Sequence, residues 1–173
     1  MDYEKVYGAM HDGKQKVFSG YSIKPYIPKI ASLVYDHLPR RILDYGSGKG
    51  YQYLALRVHE QWGGVLPYCY DPGVVQLRER PEGSFAGIIC TDVMEHIEET
   101  DVDNVLNDIF SFAYPLGFVF FGIACRPAKR KKLPDGRDVH VTIKPPVWWL
   151  DKLSRYNKTG RAIVAEFDEG PAP

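Results

Sequence analysis

Four short apolar runs, at 42–45, 65–70, 85–91 and 117–124, each end on glycine, proline or polar residues, and stretches with helical spacing separate them. Apolar runs of this length suit strands buried on both faces, and their alternation with amphipathic segments predicts an α/β fold with a doubly wound, mostly parallel sheet. A fifth run, Arg161 to Phe167, adds a final strand. The spacing predicts helices from Pro28 to Leu38, Tyr51 to Glu60, Asp101 to Ala113 with Thr100 as N-cap, and Pro145 to Tyr156, plus a short helical piece near Val74 to Glu79. Ligands of such sheets sit beyond the carboxyl ends of the strands. The residues just after each strand are therefore the ones to read for chemistry.

A chain of 173 residues suits one domain spanning 1–173, with 1–24 as an N-terminal arm and 126–145 as a basic loop over the site. Lys and Arg number 22 and Asp and Glu 22, so no whole-molecule field draws the chain to nucleic acid or anionic membrane. The three cysteines, Cys69, Cys90 and Cys125, fit no zinc spacing and lie in or beside apolar runs. They read as buried thiols of a reducing compartment. No apolar stretch of spanning length and no signal-peptide core appear, so a soluble, cytoplasmic protein is expected.

The first strand runs into Asp44-Tyr45-Gly46-Ser47-Gly48-Lys49-Gly50. Glycines there permit a sharp turn and close approach of a ligand to the backbone. A triphosphate loop would need Gly-Lys-Ser/Thr at its end, and Lys49 is followed by Gly50 and Tyr51. A dinucleotide loop would need glycine at position 51. An acid directly before the loop repels a pyrophosphate and favours a ligand carrying a cationic amino group. Asp71, after the second strand and about 20 residues on, stands where dinucleotide-type folds place the acid that holds a ribose diol. Asp71-Pro72-Gly73 is also a good turn sequence. Together the two acids specify an adenosine-bearing amino acid better than a nucleotide phosphate.

The segment 42–50 resembles motif I of the class I S-adenosylmethionine-dependent methyltransferases. Tyr70-Asp71-Pro72 resembles that family's ribose-binding strand end. Ile89 to Ile97, with Asp92-Val93-Met94-Glu95-His96, is similar to the segment after the family's fourth strand, where many small-molecule members carry an Asp–x–x–Glu–His run. The resemblance spans about residues 40 to 125. It implies a Rossmann-like methyltransferase fold with S-adenosylmethionine as methyl donor and S-adenosylhomocysteine as product. It implies donor-binding roles for Asp44, Gly46, Ser47, Gly48, Gly50, Asp71 and Pro72, and leaves the loop after Asp71 or the segment Thr91-Asp92-Val93 to close the adenine side. Only residues 72–84 separate Asp71 from the run that matches the family's fourth strand. A helix, a strand and a third acidic position usually stand there, so the fold is expected to be shortened between the second and fourth strands, and at its C-terminus.

Methyl transfer rests mainly on alignment, with a general base where the acceptor must lose a proton. His96 after the third run and His140 beyond the fourth are the candidate catalytic residues, with chemistry suited to neutral pH. His11, His37 and His59 look like arm or helix-surface residues. Arg126 to Lys132 carries five basic groups, which read as a solvated loop or as a lid for an anionic acceptor. Trp148 or Trp149 could pack on the sheet or close the acceptor pocket, and Tyr7 and Tyr21 could cover the donor. The Asp/Asn-Pro-Pro-aromatic tetrad and Pro-Cys pair of DNA-base enzymes are missing after the fourth run. A small or polar acceptor is therefore expected, taking the methyl group in line. A catalytically silent donor-binding module and a nucleic-acid methyltransferase using the basic loop are the alternatives. Oxidoreductase chemistry on the same sheet is weaker, given Asp44 and the missing glycine.

Overall fold

A computed structural model describes residues 8, 21–128, 132–157 and 160–170. Five parallel strands form one sheet in the order β2-β1-β3-β4-β5, where β1 is Ile42–Tyr45, β2 Tyr68–Tyr70, β3 Phe85–Thr91, β4 Ala113–Ala124 and β5 Ala162–Asp168. The chain starts in the middle of the sheet at β1, steps out to β2, then crosses back to β3. That crossover makes the doubly wound switch point between β1 and β3. The α/β fold expected from the apolar runs is the one observed.

Period-2 alternation along the strands divides the core in two. Ile42, Ile89, Phe118 and Phe120 face α1 (Ile27–His37), while Leu43, Ile88, Cys90, Val119 and Phe121 face α3 (Val102–Ser111) and α4 (Pro146–Ser154). Helix α1 forms because Ile27, Ile30, Leu33 and Val34 share one face, with a proline in its first turn. It stops where Leu38 enters the left-handed region (φ 45°) and its N–H donates to the Val34 carbonyl at 2.8 Å. On α3, Val102, Leu106 and Ile109 are buried at helical spacing against the other face. Trp149 is fully buried in the same cluster, and Trp148 packs on it edge-to-face at 4.8 Å. Both tryptophans are thus engaged on the sheet side of α4.

Three helix expectations change. The stretch from Tyr51 breaks into α2 (Tyr51–Leu54) and a 3-10 turn at Val58–Trp62, with Arg57 at φ 49° between them. At about 100° per residue, a continuous helix would put Trp62 roughly 180° from Tyr53. The break lets Tyr53, Val58 and Trp62 all enter one core. Thr100 is not the N-cap of α3: it lies inside a 3-10 turn, Glu99–Asp101, that runs directly into the helix. The piece near Val74 is a set of turns rather than a helix. There the Val74 N–H reaches the Asp71 carbonyl, the Leu77 N–H the Val74 carbonyl, and the Asp71 N–H the Leu77 carbonyl.

No strand lies between β2 and β3 among the described residues, so the shortening after Asp71 is real and leaves β2 at the sheet edge. A groove of about 410 Å³ opens beside that edge, bordered by Leu54, Leu66, Cys69 and Leu77. Only Cys90 is fully buried. Cys69 and Cys125 are half-buried, contrary to expectation, because they sit at the edge and the mouth of the sheet. All three are free thiols, and burial pushes Cys69 up to about 12 and Cys125 up to about 11, far from reactive thiolates. No helix among the described residues is long and apolar enough to cross a membrane.

The α3 interface supplies a direct check of this packing. Leu106→Ala removes a fully buried side chain from the larger core cluster. Urea unfolding should show a loss of about 2–5 kcal/mol, and a loss below about 1 kcal/mol would contradict the placement of α3.

Candidate functional site

The carboxyl ends of β1, β2 and β3 meet at the glycine loop. Gly46, Gly48 and Gly50 adopt φ of 75°, 58° and 68°. A side chain on Gly46 would also place its Cβ 2.4 Å from Val93 Cγ2. Glycine is needed there both for conformation and for contact with the segment after β3.

Three consecutive loop amides are already committed. Gly46 and Ser47 N–H both donate to the Tyr70 carbonyl, at 2.8 and 3.1 Å. Gly48 N–H donates to Asp71 Oδ2 at 2.8 Å, while Asp71 Oδ1 accepts from Gly73 N–H at 2.9 Å. A phosphate cradle needs such amides turned toward the ligand. Here they fasten the loop to the end of β2 instead. A carboxylate offers about four acceptor positions, more than these two backbone donors occupy. Asp71 thus braces the loop through one carboxylate oxygen and the turn that follows it through the other.

Asp44 lies beneath the loop and is 2% exposed. Its Oδ2 accepts from Tyr53 Oη at 2.8 Å and Gln52 Nε2 at 2.9 Å. Burial raises its carboxyl to about 6, against the opposing effect of those two donors. Gln52 was not singled out by sequence reasoning. Its Nε2 also reaches the Ser47 carbonyl at 3.2 Å, while its buried Oε1 has no hydrogen-bond partner among the described residues. The amide cannot turn over without aiming its oxygen at two acceptors. An orphaned buried acceptor beside a carboxylate suits an ammonium group, so the residues present fit an amino-acid ligand better than a phosphate. The only sequence sign of Gln52 was a polar residue on the inner face of α2.

Pro72, at the turn after Asp71, is half-buried. Thr91, the last residue of β3, is buried, and Val93 beyond it rests against the Gly46 backbone. Asp92 sits at φ 59°, uncommon for a residue with a side chain, with its N–H on the Gly122 carbonyl at 2.9 Å. Its Oδ1 is 3.9 Å from His96 Nε2. The segment from Val139 to Thr142 folds down on the other side. Thr142 bonds the Glu95 carbonyl through its N–H and the Ile97 carbonyl through its hydroxyl, at 3.1 and 2.6 Å. His96 and His140, 44 residues apart in sequence, thus meet edge-to-face with ring centroids 4.9 Å apart.

Two more residues stand here: Glu95, which the Asp–x–x–Glu–His resemblance includes, and Tyr26, which sequence reasoning missed. Glu95 is fully buried. Its Oε1 accepts from Ala124 N–H at 2.8 Å, and its Oε2 has no partner among the described residues. Burial raises its carboxyl well above the usual carboxylate range, against the lowering effect of His96. Tyr26 packs its ring over Gly122 and against Phe120, and burial raises its phenol to about 12, with Glu95, Asp168 and Asp92 adding to the rise. The Glu-His pairing in 95–96 was the available signal for the first. None existed for Tyr26, which a 3-10 turn at Tyr21–Tyr26 brings in from outside the motifs.

Other candidates lie elsewhere. Arg126 forms a bidentate pair with Asp168, and Lys132 reaches Asp138 at 3.3 Å, so these two basic groups of the loop are neutralised within the chain. Lys129, Arg130 and Lys131 lie outside the described residues, as do Tyr7, His11 and most of the arm. Tyr21 is exposed, with Lys24 against its ring. His37 and His59 sit on the α1 side, near Phe118 and Tyr53.

A family model described as a methyltransferase domain matches residues 18–157. No curated protein and no solved structure matches the chain. The match covers most of the sequence and all the elements above except β5. The chain belongs to the class I S-adenosylmethionine-dependent methyltransferases, and it is a methyltransferase enzyme.

The Asp44 environment gives a pH-dependent stability with a defined sign. Its folded value, about 6, exceeds the ordinary 3.8, so the folded state holds the proton more tightly. The contribution is fully present below about pH 4 and is lost as pH rises through about 6. Two units correspond to roughly 3 kcal/mol. Measured against Asp44→Asn, which cannot titrate, wild-type stability in urea should fall by about that amount between pH 4 and 6.5. A difference that stays flat or rises over this window would contradict a buried, desolvated Asp44.

Proposed function

We propose that this methyltransferase transfers the methyl group of S-adenosylmethionine, in line, to a small or polar acceptor approaching from the side of His96 and His140. One observation carries the reading. The loop amides are fastened to Tyr70 and Asp71, leaving an orphaned acceptor over a buried acid at one end and a diol-competent carboxylate at the other. That pattern matches an amino acid joined to a nucleoside and offers little to a pyrophosphate.

In this reading Asp44 and Gln52 hold the ammonium group from beneath the loop. The backbone of Gly46, Ser47, Gly48 and Gly50 lines the donor's middle. Asp71, supported by Pro72, takes the ribose hydroxyls, and hydrogen bonds to a charged group contribute roughly 1.5–3 kcal/mol each. Thr91, Asp92 and Val93 border the adenine side. When bound, S-adenosylmethionine supplies a methyl group already activated on a sulfonium, so what remains for the chain is mostly alignment.

His96 and His140 serve the acceptor. Their Nδ1 atoms lie 2.9 and 2.7 Å from the carbonyl oxygens of Val139 and Arg126. Carbonyls only accept, so each Nδ1 carries the hydrogen, and in a neutral ring Nε2 is the basic nitrogen. Burial lowers the pKa of His140, which is thereby set to take a proton from an acceptor, whereas, against the lowering effect of burial, Asp92 and Glu95 raise that of His96. Arg126 and Lys132, two of the five basic groups of the loop, are paired within the chain, which supports a small or polar acceptor over a nucleic-acid backbone.

Incubating the full chain with S-adenosylmethionine and panels of hydroxylated, carboxylated and amino acceptors should release S-adenosylhomocysteine with at least one class. His96→Ala and His140→Ala should lower turnover by about 10²–10⁴-fold for a proton-losing acceptor. Normal turnover in both variants would end the general-base assignment. Release that occurs only with RNA or DNA, and weakens steeply with salt, would replace the small-acceptor reading.

A further inference from the structure

We propose that Asp92, His96 and His140 form a binding site for one divalent transition-metal ion on the acceptor side of the cleft. One donor atom from each of the three residues lies within 4.8 Å of the other two. Small side-chain rotations would bring them to the roughly 2.0–2.2 Å ligand distances of zinc-type ions. The role of such an ion in catalysis rests on the methyl-transfer reading above, with a water or hydroxide on the ion, in place of the two Nε2 atoms it occupies, then taking the acceptor's proton; its binding does not rest on that reading.

Three features of the chain build the site rather than merely gather its residues. First, both imidazoles are locked in one tautomer. The Val139 carbonyl holds His96 and the Arg126 carbonyl holds His140, each by Nδ1–H. An imidazole so held presents Nε2 as a lone-pair donor, and a backbone carbonyl on the far nitrogen is a recurrent outer partner of metal-bound histidine. Second, the carbonyls are themselves fixed. Asp138 Oδ1 accepts from the N–H groups of both Ala128 and His140, at 3.1 and 2.9 Å. Thr142 staples the same strand of chain to Glu95 and Ile97. Third, Asp92 is kept in the left-handed region (φ 59°) by its N–H bond to Gly122. Such backbone strain persists where the surroundings over-determine it, and it clusters at functional sites.

The donor chemistry selects the ion. Two imidazoles and one carboxylate suit zinc, cobalt, iron or manganese, whereas magnesium and calcium prefer all-oxygen shells. His96 and His140 are 5% and 8% exposed and Asp92 is half-buried, so the cluster is dry on the protein side and reachable from the cleft. Three protein ligands leave a coordination position for water or for an acceptor oxygen. An ion there would supply Lewis acidity to that oxygen. The acceptor class that follows is one carrying a hydroxyl or carboxylate, rather than an amine or a carbon nucleophile.

The test uses the full chain, stripped of metal by dialysis against chelator, and cobalt(II) as the probe. Titration should give one ion per chain with visible d–d absorption, displaced one-for-one by zinc(II). His96→Ala and His140→Ala should each weaken cobalt binding by more than the roughly 10–100-fold typical of losing an outer partner. Circular dichroism of both variants should stay at wild-type values, and both should keep S-adenosylhomocysteine affinity within about threefold. A wild-type chain that binds neither ion at unit stoichiometry overturns the proposal, whatever the variants do. Folded variants that keep the wild-type spectrum and affinity overturn it as well. Metal binding without S-adenosylhomocysteine binding would leave the metal site standing and remove the donor reading instead.

Discussion

The carboxylate of Asp71 and the carbonyl of Tyr70 hold three successive amides of the glycine loop, and the rest of the site depends on that attachment. It fixes β1 to β2 at their carboxyl ends, beside the sheet edge, since no further strand flanks β2 among the described residues. It also decides what the loop can recognise. Amides spent on the protein cannot cradle a phosphate, so recognition passes to the groups around the loop. Asp44 and Gln52 lie below it, Asp71 beside it and Val93 across from it. The glycines are therefore required for the shape of the turn and for the close approach of Val93, more than for access to their N–H groups.

The second half of the site is assembled differently. Asp92, Glu95 and His96 come from a short segment after β3, but they acquire their geometry from the chain between β4 and α4. That stretch folds down through Thr142 and Val139 and delivers His140. His140 is 44 residues from His96 along the chain, and the fold brings the two together at the mouth of the sheet. The glycine loop is thus anchored by backbone and carboxylate hydrogen bonds, and the His96–His140 side by imidazole-to-carbonyl bonds. Arg126, placed by the basic composition of its loop among possible acceptor contacts, instead ties that loop to the end of β5 through Asp168.

The fold was largely legible in the sequence because its strands are buried on both faces. Ile88-Ile89-Cys90 and Phe118 to Phe121 can belong to little else, and α1 and α3 carry their apolar faces at regular spacing. Less legible were the elements shaped by tertiary demands. The helix after Tyr51 had to break so that Tyr53 and Trp62 could share a core, and Thr100 lost its capping place to a 3-10 turn. In the site, Asp44, Asp71 and the glycines announced themselves by order and spacing. Gln52 and Tyr26 did not, because a buried polar residue is recognised by the partner it lacks or shares, and that appears only once the chain is folded. His140 could be suspected from its place beyond β4, but its meeting with His96 rests on bonds to Val139 and Arg126 that leave no mark in the sequence.

Calorimetric titration of S-adenosylhomocysteine into the wild-type chain and into Asp71→Asn measures the central claim most directly. The account predicts that the wild type binds this ligand and not NAD. It also predicts that the variant, losing a charged acceptor for the diol and part of the loop's brace, binds at least about tenfold more weakly. Equal affinity of the two proteins for S-adenosylhomocysteine, or comparable binding of NAD by the wild type, would contradict it.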